Sequence, residues 1–225
     1  MTSVPRAVKR SYDGATRRAA SDETRRRILG TARELLIERG YRATTVAAIS
    51  AGAGVNPDTV YELVGRKPRI VRELVEQALS GTDHAVPAAD RTYVSEIRAE
   101  PDPMGKIRIY AAATVAMLGR LAPLVVALRE AGAGDAAAAE LWRRFGDRRA
   151  ANMRLFVVDL GARREGVGLD DAADTVWATN SPELYLLLTD ERGWTPERFE
   201  RWLVDTWTRL LLPDVAPGAP AAARS

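Results

Sequence analysis

Five prolines, Pro57, Pro68, Pro103, Pro182 and Pro196, each stand at the opening of a stretch with helical periodicity. Proline suits that place and no deeper one. Its missing N–H falls among donors that a first turn leaves unpaired anyway, and its fixed φ already matches the helix. Between these starts no alternating Val/Ile/Thr run argues for a strand, so the spacing predicts an all-α chain. At 225 residues, 46% of them hydrophobic, the chain has room for two small helical domains and a sizeable core.

The expected helices follow from stripes and stops. Residues 1–20, with Arg6, Lys9, Arg10, Arg17 and Arg18 among small residues, lack periodicity and are expected to form a disordered basic arm. Ser21 opens the first helix, with Asp22 and Glu23 where the macrodipole favours anions. Ile28, Ala32, Leu35 and Leu36 form its apolar stripe, and Gly40 stops it. Thr44 is expected to cap a short second helix, Asn56 a third, and Lys67-Pro68 opens a fourth running to Leu79. Further helices are expected at about 103–120, 124–131, 135–164, 170–179, 182–190 and 196–212, with a disordered Pro/Ala tail over 213–225. The expected domains are therefore 21–79 and 80–212.

Charge is uneven along this layout. Residues 1–75 hold 15 Lys/Arg against 8 Asp/Glu, while 76–225 hold 18 against 22, so a basic front precedes an acidic back. That pattern suits a front that meets a polyanion. The absence of cysteine rules out disulfides, thiolate zinc sites and cysteine nucleophiles. With His84 the single histidine, in a Gly/Thr/Asp/Pro linker, no metal, cofactor or catalytic triad is expected, and the chain is not expected to be an enzyme. Gly52-Ala53-Gly54 lacks the third glycine of a dinucleotide loop, and Asp170 and Asp171 are read as a helix cap. No signal-like segment or apolar run near the roughly 18 residues of a membrane span is apparent, so a soluble cytoplasmic protein is expected.

Within the basic front, "TTVAAISAGAGVNPDTVYELVG" contains two short apolar-striped helices broken by a glycine. Ile49, Ala53, Val55, Val60 and Leu63 fall on the inner face of a helix-turn-helix, and Gly54 falls where its turn needs a left-handed residue. Asn56, Pro57, Asp58, Thr59 and Glu62 then point away from the core, as a helix entering the major groove requires. Glu62 has a second reading, an i,i+4 pair with Arg66.

From Thr24 to about Leu79 the chain resembles the DNA-binding domain of the TetR family of bacterial transcriptional regulators. The family's habit "RILxAAxxLfxexGyxatTvxxIAxxAGVsxgtlYxyFxsKxxL" is met here by "RILGTARELLIERGYRATTVAAISAGAGVNPDTVYELVGRKPRI". The resemblance implies an N-terminal three-helix helix-turn-helix DNA-binding domain followed by a C-terminal helical domain for ligand binding and dimerisation. It also implies phosphate contacts from Thr45, Tyr61 and Lys67 that position the reading helix. With Thr44, Asn56, Pro57, Asp58 and Thr59 these form the expected contact set for double-stranded operator DNA. The family's aromatic three residues after the tyrosine is Val64 here, and its common alanine is Ser50.

In the back half, Trp142, Phe145, Arg149, Met153 and Phe156 share one stripe, and Tyr110, Thr114, Met117 and Leu118 another. Such stripes read either as core or as walls of an effector cavity formed by Tyr110, Thr114, Met117, Trp142, Phe145, Arg149 and Met153, with Arg149 as the handle for an anionic ligand. The family pairs its last two helices across a homodimer. That implies interface roles for Tyr185, Phe199, Trp202, Leu203, Trp207 and Leu210. The expected function is a homodimeric regulator, a repressor released by a small-molecule effector. The alternative is a helical ligand-binding protein or enzyme whose front serves protein interaction.

Overall fold

In the computed structural model residues 8–213 are described, with side chains from Thr16 onward. They form ten α-helices and no strand: α1 Val8–Ala43, α2 Val46–Ala53, α3 Pro57–Leu63, α4 Lys67–Ser80, α5 Thr92–Ala99, α6 Pro103–Gly132, α7 Ala136–Leu160, α8 Leu169–Thr179, α9 Pro182–Leu186 and α10 Pro196–Leu211. A 3₁₀ turn over Ala88–Asp90 precedes α5, and a π turn over Leu187–Glu191 follows α9.

Several boundaries depart from expectation. Helix α1 begins at Val8, so 8–20 are helical where a structureless arm was expected; residues 1–7 and 214–225 lie outside the described part. Gly40 does break the helical geometry of α1, at φ 73° and ψ 173°. The region expected to be linker after Leu79 contains α5, whose Ile97 is buried. Helix α6 is one helix where two were expected, and Pro123 lies inside it. Interior proline costs about 3 kcal/mol. Leu118, Leu121, Ala122, Leu124 and Val125 around it are all buried, at about 1.5–3 kcal/mol for each Leu or Val, so burial wins. Against the expectation of no such segment, α6 is by length and composition apolar enough to cross a membrane. Half of that segment is buried inside the protein, as in a core helix.

Contacts divide the chain into two compact units. The first comprises residues up to 85 together with 123–143. In it α1 packs on α2, α3 and α4, burying Ile28, Ala32, Leu36, Ile49, Val60 and Ile70. The second comprises 86–122 and the residues from 144 on. Its core gathers Ile107, Tyr110, Phe156, Phe199, Leu203 and Trp207 from α6, α7 and α10.

That second core corrects part of the expected interface. Phe199, Leu203 and Trp207 are fully buried within the single chain and Tyr185 nearly so, leaving Trp202, half-buried, and Leu210, exposed, as the two of the six with free surface. The broad aromatic face of α10 goes mostly inward because α8 and α9 supply partners: Trp207 donates its Nε1–H to Thr179 Oγ1 at 2.7 Å, and Tyr185 meets Phe199 edge to face.

Candidate DNA-binding surface

The turn between α2 and α3 is built as its glycine demands. Gly54 adopts φ 64° and ψ 39°, where a side chain would be strained, and the Val55 N–H closes onto Ser50 O at 3.0 Å. Thr45 caps α2, its Oγ1 accepting from the Ala48 N–H at 3.1 Å. Asn56 caps α3 through Oδ1 and the Asp58 N–H at 2.9 Å. Helix α2 runs close to α1 at Gly52, where a Cβ would collide with the Thr31 methyl. Val64, in place of the family aromatic, is fully buried and closes the end of α3.

This frame turns Asn56, Pro57, Asp58, Tyr61 and Glu62 to solvent, with Thr59 half-buried and Tyr61 49% exposed. Thr45 is exposed beside them. Thr44 is a correction: it is fully buried and donates its hydroxyl to Gly40 O at 2.8 Å, so it ties the end of α1 and has no surface to offer a phosphate. Glu62 makes no ion pair with Arg66 among the described residues.

Lys67 stands at the N-terminus of α4 with one donor engaged: Nζ bonds Tyr41 O at 3.0 Å and lies 3.9 Å from the centre of the Tyr41 ring. An ammonium has three N–H groups, so two remain for a phosphate. Partial burial lowers its pKa, and Asp135 acts against that shift. Burial, with Asp135 adding to it, pushes the Tyr41 phenol up to about 12. Asp135 belongs to the turn between α6 and α7, where it caps α7 through the Ala138 N–H, and the neighbouring Gly134 sits so tightly against Arg42 that a Cβ would overlap the guanidinium. The first unit thus includes this turn as a brace. Elsewhere in it Arg25 pairs with Glu73, tying α1 to α4, and Arg27 Nε donates to Ala53 O at 2.9 Å, tying α1 to the end of α2.

The expected effector residues are only partly brought together. Tyr110 donates to Met153 Sδ at 2.9 Å, as does the Asn180 Nδ2. Thr114 Oγ1 is buried beside them without a hydrogen bond of ordinary geometry. Burial pushes the Tyr110 phenol far up. Met117, half-buried, and Phe145, buried, stand outside this cluster, and Trp142 belongs to the first unit. Asn180, only 4% exposed, was not anticipated; a lone polar residue at a helix end carries no pattern in sequence.

Arg149 is not a free handle. Its guanidinium bonds Asn180 Oδ1 at 2.9 Å and Trp177 O, and lies 4.7 Å from the centre of the Trp177 ring. It thereby satisfies carbonyls at the C-terminus of α8, where a cation is favoured. Burial lowers its pKa to about 10, so it stays charged at neutral pH. Replacing Arg149 by Met is expected to cost about 2 kcal/mol, because the α8 carbonyls lose a charged donor; urea denaturation measures this, and an unchanged midpoint refutes the bracing role.

Comparisons with known proteins agree with this geometry. Residues 28–63 match the family model "Bacterial regulatory proteins, tetR family". Comparison with curated proteins finds no match. Among solved structures, a transcriptional regulator from Saccharomonospora viridis in complex with choline superposes with a TM-score of 0.64 at 18% identity, covering 84% of this chain and 97% of that one. A SmeT–triclosan complex superposes with a TM-score of 0.64 at 19% identity, covering 90% of this chain and 100% of that one. The fatty acid degradation regulator FadR from Bacillus halodurans gives 0.63 at 14% identity, covering 82% and 94%. Residues 28–63 thus carry the helix-turn-helix segment of the tetR family of bacterial regulatory proteins, and the chain shares the fold of these regulators over most of its length.

Proposed function

We propose that the protein is a cytoplasmic, homodimeric transcriptional regulator: a repressor that leaves its operator when a small molecule binds the second unit. The observation that carries this reading is the exposed start of α3. Asn56, Pro57 and Asp58 project from a helix whose inner residue Val60 is wholly buried, with Thr45, Tyr61 and Lys67 on its flanks. Two copies of that helix, in a dimer, must reach successive major grooves roughly 34 Å apart. A ligand that prefers an arrangement missing this span weakens DNA binding by the ratio of its affinities for the two arrangements. Two structures of this fold hold small molecules, choline in one and triclosan in the other, which supports an effector here.

The test is a band-shift titration with DNA from around the protein's own gene. A specific complex is expected, with log K falling linearly and steeply against log salt as phosphate counterions are released. Absence of any specific shift at low salt overturns the reading.

A further inference from the structure

The second unit contains a slot between α5, α6 and α7, lined also by Ala88 and Ala89 of the 3₁₀ turn. Tyr93, Val94, Ile97, Tyr110, Leu155 and Phe156 wall it, and Asn152 stands among them. We propose that this slot takes a single-ring, uncharged molecule carrying one hydroxyl or carbonyl. The proposal rests on the effector reading above and names the effector's chemical class.

Size comes first. The slot holds about 70 Å³, room for roughly five waters at 10–15 Å³ each, and hence for one ring rather than a drug-sized ligand. Charge comes second. At the rim Arg98 Nε lies 3.9 Å from Asp159 Oδ2, and Lys106 Nζ bonds Asp159 O. An anion entering meets the Asp159 carboxylate, a cation meets Arg98, and neither finds an uncommitted counter-charge. The aromatic walls do not form an open cage for an ammonium either. Tyr110 and Phe156 are stacked with centroids 4.1 Å apart, each covering a face of the other, and Trp207 lies 5.5 Å from Tyr110. The stacked faces of Tyr110 and Phe156 are thereby closed to an ammonium, while the apolar walls suit a neutral ring. The polar anchor is Asn152, half-buried, whose carboxamide makes no side-chain hydrogen bond among the described residues and can both donate and accept. Arg149, the handle read from sequence, does not line the slot.

Calorimetry on the full chain at pH 7, with p-cresol, p-toluate and choline as probes, tests the assignment. The expected result is binding of p-cresol at least tenfold tighter than either charged probe. Ala88→Phe, which puts a large ring into the slot from its half-exposed lining, and Asn152→Leu, which removes the anchor at similar volume, are each expected to weaken p-cresol tenfold or more. Thermal melts check that both variants fold, and the ligand-free band shift should be unchanged. Preference for p-toluate or choline, no p-cresol binding, or p-cresol binding indifferent to both variants overturns the slot assignment. Loss of p-cresol binding with a sound DNA shift removes the slot alone; p-cresol binding without any shift supports the slot and removes the regulator.

Discussion

Trp207→Ala is expected to destabilise the protein by about 3–5 kcal/mol, the range for emptying a large aromatic site in a core that relaxes only partly. Trp207 has no exposed surface, packs beside Tyr110 and Phe156, and spends its N–H on Thr179. The variant leaves Thr179 satisfied, since its hydroxyl also donates to Thr175 O at 2.6 Å, so the loss is one of packing. Trp207→Phe should lose much less, about 1 kcal/mol for the deleted hydrogen bond plus the cost of a smaller ring. Chemical denaturation at several protein concentrations reads both. A core residue gives the same loss at every concentration. A loss that grows on dilution would return Trp207 to a subunit interface and contradict its placement here.

The second large effect is on DNA. Removing Tyr61 and Lys67 together, as Tyr61→Ala with Lys67→Met, is expected to weaken operator binding by about two orders of magnitude. Each contact is repeated in a dimer, and a charge-assisted phosphate bond contributes about 1.5 kcal/mol or more. The lysine also sets the salt response: two lost phosphate contacts per dimer should flatten the slope of log K against log salt by about 2. Lys67 also braces Tyr41 O, so a melt of the same variant is needed to show that the folded population is unchanged. A folded double variant with full operator affinity would remove DNA contact from this surface altogether.

How much of this was legible in the sequence depended on how local each signal was. Gly54, Thr45, Asn56 and Pro57 act within a few residues of themselves, and the turn and caps they imply are present. Ser181 and Thr195 likewise cap α9 and α10. Thr44 was misassigned because adjacent threonines compete for one cap. Which of them wins depends on the path out of Gly40, where φ is positive. Helix α5 was missed because eight residues with a single buried isoleucine give too short a period to see. Pro123 divided α6 in the sequence reading because local cost is visible there and tertiary burial is not. The aromatic face of α10 showed that it must be covered, but not by what: a neighbouring helix and a second chain leave the same pattern of residues. Arg149 was legible as an odd cation on an apolar stripe, while its partners Trp177 and Asn180 lie some thirty residues further on and share no motif with it.

The turn that holds Gly134 and Asp135 against Arg42, Tyr41 and Lys67 bears on the order in which the molecule can be made. On the ribosome, α1 to α4 emerge long before the tip of the α6–α7 hairpin, and so wait with one flank uncovered until a distant stretch returns to them. Closing so long a loop is entropically slow. A nascent chain stalled before residue 123 therefore lacks the brace at the end of α1 and the start of α4.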